Sequence, residues 1–220
     1  MITRIATVAA ALALFALPAA AQSLAPFKDD LFAYPATLSE ADGGAYRVVD
    51  YREMRDVNER DEVVGRAPRR EVHARGLKHR AIHALVFNAR GDVFLQKRSM
   101  TKDTCPGLWD SSSSGQVDSG EEYDACAVRE LREEIGLVVA QTPERLFKIA
   151  ACQETGQEFV WVYRCASEGP FTLHPEEIET GKWFSPAAVT RWTGERPEDF
   201  ADGFLLLWSR SEERRVGKEC

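Results

Sequence analysis

Alternating hydrophobic and polar positions predict a series of short strands in the part of the chain that follows residue 50. The predicted strands are Met54–Val57, Glu62–Val64, Arg80–Asn88, Asp92–Lys97, Arg145–Ala151 and Glu158–Tyr163. The first two flank a polar turn and form a predicted hairpin, and Gly91 lies in the turn between the next two. The segment Ser111–Val117 consists of small residues and predicts a strand or a loop.

Helical periodicity is clearest over Glu121–Ile135, where Asp118 or Ser119 is the expected N-cap and Gly136 the expected end. Three further predicted helices are Pro68–His73, Pro186–Trp192 and Pro197–Trp208. Strands and helices are intermixed without a regular strand–helix–strand repeat. The chain therefore predicts an α/β fold in which helices pack on a mixed β-sheet.

The charge distribution narrows the classes of partner. The 220 residues carry 28 Lys and Arg against 35 Asp and Glu, a net charge of −7, which disfavours binding to a nucleic-acid polymer. Seven acidic residues and only two basic ones fall within Gly115–Leu137. Such a density of carboxylates is costly unless solvent or a cation neutralises it, and carboxylate oxygens are ligands for hard divalent cations.

Residues 1–21 predict a secretory signal peptide. Arg4 precedes the apolar run Ile5–Leu17, and three alanines stand before Gln22. The apolar run is short for a stable membrane span, although an uncleaved N-terminal anchor is the alternative. The protein is expected to be exported, to the periplasm or outside the cell, if this N-terminus is genuine. It is expected to be cytoplasmic if the start is misassigned and translation begins at Met54. A third alternative is that the N-terminal 50-odd residues belong to a different gene.

Two further segments lie outside the predicted domain, which spans 51–209. Residues 22–50 contain prolines and glycines between short apolar pieces and predict a linker or an irregular extension. Residues 210–220 resemble the translation of a sequencing adapter and are interpreted as a non-native tail. An ordinary charged tail is the alternative for that segment.

The spacing of residues in Gly115–Leu137 carries the functional prediction. Fixed positions of the Nudix box are filled by Gly115, Glu121, Arg129, Glu130, Leu131, Glu133, Glu134, Gly136 and Leu137. With residue frequencies of roughly 5–10%, a chance match in one chain is on the order of one in a million. The chain thus resembles the Nudix hydrolase superfamily. The resemblance implies an α/β/α sandwich around a mixed sheet, with the box as a loop–helix–loop.

The resemblance also implies roles for the residues of the box. Glu133 and Glu134 correspond to the main metal ligands of the family, and Glu130 to a further ligand or the general base. Arg129 is expected to orient a neighbouring carboxylate. The carbonyl of Gly115 or of Ser114 is expected to complete the metal shell. Structural roles in the box fall to Gly115, Glu121 and Gly136. A later-loop glutamate is also expected, and Glu176, Glu177 and Glu179 remain open as candidates.

A wider resemblance covers Arg80–Leu137 and points to the isopentenyl-diphosphate-isomerase-like branch of the superfamily. It rests on Gln96-Lys97-Arg98, Lys102, Pro106-Gly107, Trp109 and Ser114-Gly115-Gln116. The resemblance implies that Arg98 and Lys102 contact the diphosphate of the substrate. The isomerases have a catalytic cysteine where this chain has Ser114, and a metal-binding histidine where it has Gln116. In this resemblance His79 corresponds to another metal ligand of the isomerases, and a structural histidine at the start of a strand is the alternative.

These observations predict a Mg²⁺-dependent enzyme, with Mn²⁺ as a possible substitute, that hydrolyses a diphosphate linked to an organic group. The expected partner is a small-molecule diphosphate, with no stable membrane span; the sequence leaves the oligomeric state open. A catalytically silent Nudix domain used for binding is one alternative, although the box retains all its glutamates. An isopentenyl-diphosphate isomerase is the other, and a serine at position 114 is a poor acid for that reaction.

Overall fold

The structure is a computed structural model that describes residues 37–40, 46–49 and 53–216. The chain divides after Tyr51 into two units. In the first unit, strands β1 (Thr37–Glu40) and β2 (Tyr46–Val49) pair antiparallel. The prediction of an irregular extension over 22–50 did not include this pair. The signal peptide predicted for 1–21 lies outside the described residues.

The second unit contains the elements of the predicted domain. Its strands are β3 (Glu53–Val57), β4 (Val63–Pro68), β5 (His79–Phe87), β6 (Val93–Arg98), β7 (Trp109–Asp110), β8 (Ser113–Gln116), β9 (Glu144–Ile149), β10 (Glu158–Ala166) and β11 (Ile178–Phe184). Its helices are α1 (Arg69–Arg75), α2 (Tyr123–Ile135), α3 (Pro186–Glu195) and α4 (Asp202–Val216).

Seven strands form one sheet in the order β11-β6-β5-β10-β9, with β7 paired to β6 and β8 paired to β5. Strands β5 and β10 run parallel, whereas the other neighbours are antiparallel. The sheet is therefore mixed, as predicted. Strands β3 and β4 form a separate hairpin, which confirms the predicted pair and extends its second strand to Pro68.

Alternate residues of β5 build the core on both faces of the sheet. Ile82 and Val86 pack in one cluster with Leu131 and Ile135 of α2. Leu85 packs on the opposite face, in a cluster to which α3 and α4 contribute. Because each face of a buried strand must be covered, helices lie on both sides. This arrangement confirms the predicted α/β/α sandwich.

The predicted start of helix α2 is wrong. Helix α2 begins at Tyr123, and its N-cap position is Glu122, which makes no side-chain cap bond. Neither Asp118 nor Ser119 caps it, because the chain first makes a turn in which Glu121 N–H donates to Asp118 O at 3.0 Å. Its end at Gly136 is as predicted, with Gly136 in the left-handed region at φ 69°.

The helix predicted over Pro197–Trp208 is divided in two. A 3₁₀ turn spans Pro197–Asp199, after which Phe200 is extended at φ −121° and α4 begins at Asp202. Helix α4 then continues to Val216, into the segment interpreted as a non-native tail. Its Glu212 accepts a hydrogen bond from Thr190 Oγ1 at 3.1 Å.

Strand β11 was not predicted. Its sequence alternates only weakly, and Gly181 stands at its centre. A Cβ added to Gly181 would lie 2.1 Å from Cζ of Phe94 on the paired strand β6. The glycine therefore makes room for an aromatic ring from the neighbouring strand, which a pattern within a single segment does not reveal.

Candidate active site

The carboxylates of the box are positioned by the apolar side of α2. Ala127, Leu131 and Ile135 are fully buried against the sheet. Glu130 and Glu134 stand on the adjoining side of the helix and are themselves buried, with 8% and 6% of their surface exposed. A helix that buries carboxylates so deeply needs partners for them, since an unpaired buried charge is strongly unfavourable.

Gly115 allows strand β8 to approach this side of α2. A Cβ at this position would lie 2.1 Å from both Cδ and Oε1 of Glu130. Any side chain other than hydrogen would therefore displace the Glu130 carboxylate. The glycine is required for close approach rather than for backbone freedom.

Arg129 is the common partner of the acidic residues and has a side chain only 5% exposed. Its guanidinium donates to both oxygens of Glu121 at 2.9 and 2.8 Å, and to the Gln116 carbonyl at 3.2 Å. It also donates to Glu130 at 2.5 Å and to Glu133 at 3.3 Å. Arg129 thus ties the loop before α2 to the carboxylates on the helix.

Glu134 is held from the other side by the sheet. Its Oε2 accepts a hydrogen bond from the Ser114 backbone N–H at 2.9 Å and a longer one from Gln96 Nε2 at 3.4 Å. Gln96 was not predicted as part of the site. The available signal in the sequence was a glutamine that directly follows the apolar residues of strand β6, and the structure leaves only 1% of it exposed.

Electrostatics at the cluster favour a bound cation. Burial, followed by the charge of Glu130, raises the pKa of Glu134. Burial also raises the pKa of Glu130, where Arg129 opposes the shift and Glu133 adds to it. A positive ion among these groups would stabilise their ionised forms, so the donor set fits a hard divalent cation.

The carboxylates of the box do not surround a single cation position. Within the described residues, no three His, Cys, Asp or Glu side chains form a ready cation site. Glu130 and Glu133 instead direct oxygens toward Arg129. A divalent cation would therefore compete with Arg129 for the same oxygens.

The residues predicted to contact the diphosphate lie in different settings. Lys102 Nζ forms an ion pair with Glu177, and the charges of both residues act on Glu134. The guanidinium of Arg98 instead donates to Thr104 and Asp110. The charge of Lys102 therefore acts on a carboxylate of the box, whereas Thr104 and Asp110 hold the guanidinium of Arg98.

The three later-loop glutamates are also distinguished. Glu177 adds a negative charge that acts on both Glu130 and Glu134. Glu179 pairs with Lys97 at 3.0 Å on the surface, and the backbone carbonyl of Glu176 accepts from Thr101. Of the three, Glu177 is therefore the one whose charge reaches the box carboxylates.

A second polar cluster adjoins β8 and contains the positions compared with isomerase metal ligands. Gln116 Nε2 lies 2.8 Å from His73 Nε2, 3.4 Å from His79 Nε2 and 3.0 Å from Glu158 Oε1. The side chain of Gln116 also accepts from Arg69 at 2.8 Å. The amide of Gln116 thus occupies the point on which these side chains converge.

Comparisons with known proteins agree with this geometry. The NUDIX domain family model matches residues 77–202. An uncharacterized Nudix hydrolase from Yersinia pestis is 33% identical over 165 residues, which is 74% of this chain and 88% of that protein. The crystal structure of DR0079 from Deinococcus radiodurans superposes with a TM-score of 0.65 at 30% identity, covering 72% of this chain and 98% of the other.

A more distant structure shares the fold. The NUDIX domain of NrtR from Shewanella oneidensis, solved as a complex with ADP-ribose, matches with a TM-score of 0.50 at 20% identity. The match covers 67% of this chain and 99% of that domain. In the described residues, no helix is both long and apolar enough to cross a membrane. The family model and the two relatives that are at least 30% identical show that the chain belongs to the Nudix hydrolase family and is an enzyme that hydrolyses phosphoric anhydride bonds.

Proposed function

We propose that this protein is a Mg²⁺-dependent hydrolase that cuts the diphosphate of a small molecule at the Nudix box. The observation that carries the proposal is the buried cluster of Glu130, Glu133 and Glu134 on one side of α2. Its glutamates repel one another in a site with little solvent. Retaining three carboxylates there is costly for stability alone, and a cation removes that cost.

In this proposal Glu133 and Glu134 hold the metal together with Glu130, and the carbonyl of Gly115 adds a further oxygen. Mg²⁺ is the expected ion because the donors are all oxygens, and Mn²⁺ accepts the same ligands. When bound, such a cation neutralises charge on the diphosphate and promotes ionisation of water.

The other groups act on the substrate and on proton transfer. Where Glu130 does not ligate the metal, it is the box carboxylate proposed to accept the proton of the attacking water. Arg129 orients Glu130 through the 2.5 Å hydrogen bond. Lys102 would contact a diphosphate oxygen, and Glu177, its partner in the ion pair, would then be available to help hold the metal.

Nucleoside diphosphate derivatives are the first substrate class to test. Members of the family generally act on them, and the NrtR domain was solved with ADP-ribose. The purified protein should be incubated with ADP-ribose, other nucleoside diphosphate derivatives and prenyl diphosphates, each with Mg²⁺ and with EDTA. We expect metal-dependent cleavage of at least one of them, measured by chromatography of the products.

The same panel separates the alternatives. Phosphate-containing products in Mg²⁺, and none in EDTA, support hydrolysis. Binding without turnover of any substrate would indicate a silent Nudix domain. Conversion of isopentenyl diphosphate into its allylic isomer at enzymatic rates would contradict the proposal, since Ser114 replaces the cysteine on which that chemistry depends in the isomerases.

A further inference from the structure

The loop between β6 and β7 is fastened at its base by one side chain. Arg98 ends β6, and its side chain is 12% exposed. Its Nε donates to the Thr104 carbonyl at 3.1 Å and its Nη2 to Thr104 Oγ1 at 3.3 Å. Its Nη1 donates to Asp110 Oδ2 at 3.1 Å. The guanidinium therefore links the middle of the loop to strand β7.

Backbone bonds of the same residue close the loop. Arg98 N–H donates to the Leu108 carbonyl at 2.8 Å, and Gly107 N–H donates to the Arg98 carbonyl at 3.1 Å. The two chain ends of the loop 99–107 are thus paired to each other. Side chain and backbone of Arg98 fix the same segment.

The acidic partner of Arg98 stays ionised. Burial alone would raise the pKa of Asp110, but a hydrogen bond with His83 and the charges of His83 and Arg98 lower it to about 2. Ser111 N–H also donates to Asp110 at 2.7 Å. Arg98 and Asp110 therefore form a buried ion pair. Removing one partner would leave the other charge buried and unpaired, which is strongly unfavourable.

The opposite side of the loop reaches the active site. Lys102 pairs with Glu177, and Ser99 N–H donates to the Glu177 carbonyl at 2.9 Å. Thr101 Oγ1 donates to the Glu176 carbonyl at 3.0 Å. The position of the loop thus sets where Lys102 and Glu177 stand relative to the box.

We infer that Arg98 is a positioning residue that fixes the loop 99–107 and so places Lys102 and Glu177 beside the box carboxylates. This assignment replaces the direct contact between Arg98 and diphosphate that the sequence resemblance implies. The kinetic part of its test rests on the proposed function, whereas the exchange part does not.

We call the linkage of the loop 99–107 through Arg98 the clamp. Amide hydrogen exchange tests the clamp without substrate. Peptides that cover 99–108 should be compared in the wild type, Arg98→Lys and Arg98→Ala, with Arg90→Ala as a control. Arg90 is an arginine of another turn, 73% exposed and paired with Asp92. We expect both Arg98 variants to exchange about tenfold faster in this segment, because a lysine cannot hold Thr104 and Asp110 together. Unchanged exchange in both variants would overturn the inference.

A double-mutant cycle tests whether Arg98 acts through Lys102. Arg98→Ala should raise KM about as much as Lys102→Met, and the double variant should lie within about twofold of Lys102→Met. If Arg98 contacted the phosphate directly, a lysine at this position would keep that charge contact. The positioning role instead predicts that Arg98→Lys also raises KM. Multiplicative effects, or a wild-type KM in Arg98→Lys, would contradict the clamp.

Two controls keep the outcomes separate. If Arg98→Ala does not fold, Thr104→Val is the second variant, because it removes one acceptor of the guanidinium. It should change the exchange rate and KM in the same direction by a smaller factor. No change in either measurement would count against the clamp. If the wild type hydrolyses no member of the panel, the proposed function fails while the exchange measurement still decides the role of Arg98.

Discussion

At the scale of single residues, the main feature of the site is that several carboxylates share hydrogen-bond donors. Arg129 serves Glu121, Glu130 and Glu133, while Glu134 depends on the Ser114 amide and on Gln96. Because charged hydrogen bonds in a buried setting are strong, each of these groups restricts the orientation of the others. A change at one position is therefore expected to act through its neighbours.

Glu177 and Glu179 provide a matched pair for the later-loop carboxylate. Glu177→Gln should lower kcat by at least about tenfold, because the charge that acts on Glu130 and Glu134 is lost. Glu179→Gln should leave kcat within about twofold, since Glu179 pairs with Lys97 on the surface. Steady-state kinetics of both variants check this, and equal losses would contradict the choice of Glu177.

Gly115→Ala tests the close approach of β8 to α2. The added Cβ would collide with Glu130 at 2.1 Å, and we expect a loss in kcat of about a hundredfold as the carboxylate moves away. Gly194→Ala is the control: no atom lies within 4 Å of its added Cβ, and Gly194 belongs to α3. That control should keep wild-type kcat and gain up to about 1 kcal/mol of stability. Wild-type turnover in Gly115→Ala would show that the contact is unimportant.

At the scale of elements, the sequence was informative where one segment carries its own signal. The end of α2 at Gly136 and the hairpin β3–β4 follow from local rules and were predicted. Strand β11 was not predicted because the glycine at its centre, Gly181, is explained by the ring of Phe94 on another strand. Among the site residues, spacing identified the box, whereas the choice of Glu177 and the inward orientation of Arg98 depend on contacts between distant segments.

The end of α4 makes contacts with the rest of the fold within the segment that the sequence analysis interprets as a non-native tail. Arg214 lies over the Phe147 ring at 5.5 Å, and Glu212 bonds to Thr190. Removing residues 210–220 should therefore lower the free energy of unfolding by about 1 kcal/mol, or roughly 2–4 °C in Tm. Thermal unfolding of the truncated and full chains measures this. Arg214→Ala should account for part of the loss, and identical Tm values would show that the contacts contribute nothing.

At the scale of the whole molecule, stability and metal binding are linked through the buried glutamates. Burial raises the folded-state pKa of Glu130 and Glu134 above the ordinary value of 4.5. Their contribution to stability is thus fully present below about pH 4.5 and is lost as the pH rises through the folded-state pKa. A cation bound to the ionised forms offsets that loss.

Unfolding measured between pH 5.5 and 8 tests this linkage. In EDTA, the free energy of unfolding should fall as the pH rises, by about 1.4 kcal/mol for each tenfold difference in proton affinity between the folded and unfolded states. With Mg²⁺ present the fall should be smaller. Glu130→Gln, which cannot ionise, should show a weaker pH dependence in EDTA. A free energy that rises with pH, or that ignores Mg²⁺, would contradict the assigned role of the cluster.

The central claim is that the box carboxylates hold a divalent cation for diphosphate hydrolysis. The most direct measurement is kcat of the double variant Glu133→Gln, Glu134→Gln in saturating Mg²⁺, on the panel substrate that the wild type hydrolyses fastest. Glutamine keeps the volume but removes the charge of each ligand. We predict at least a hundredfold loss, about 2.7 kcal/mol of barrier, with the fold intact by circular dichroism. Wild-type turnover by the double variant would contradict the claim.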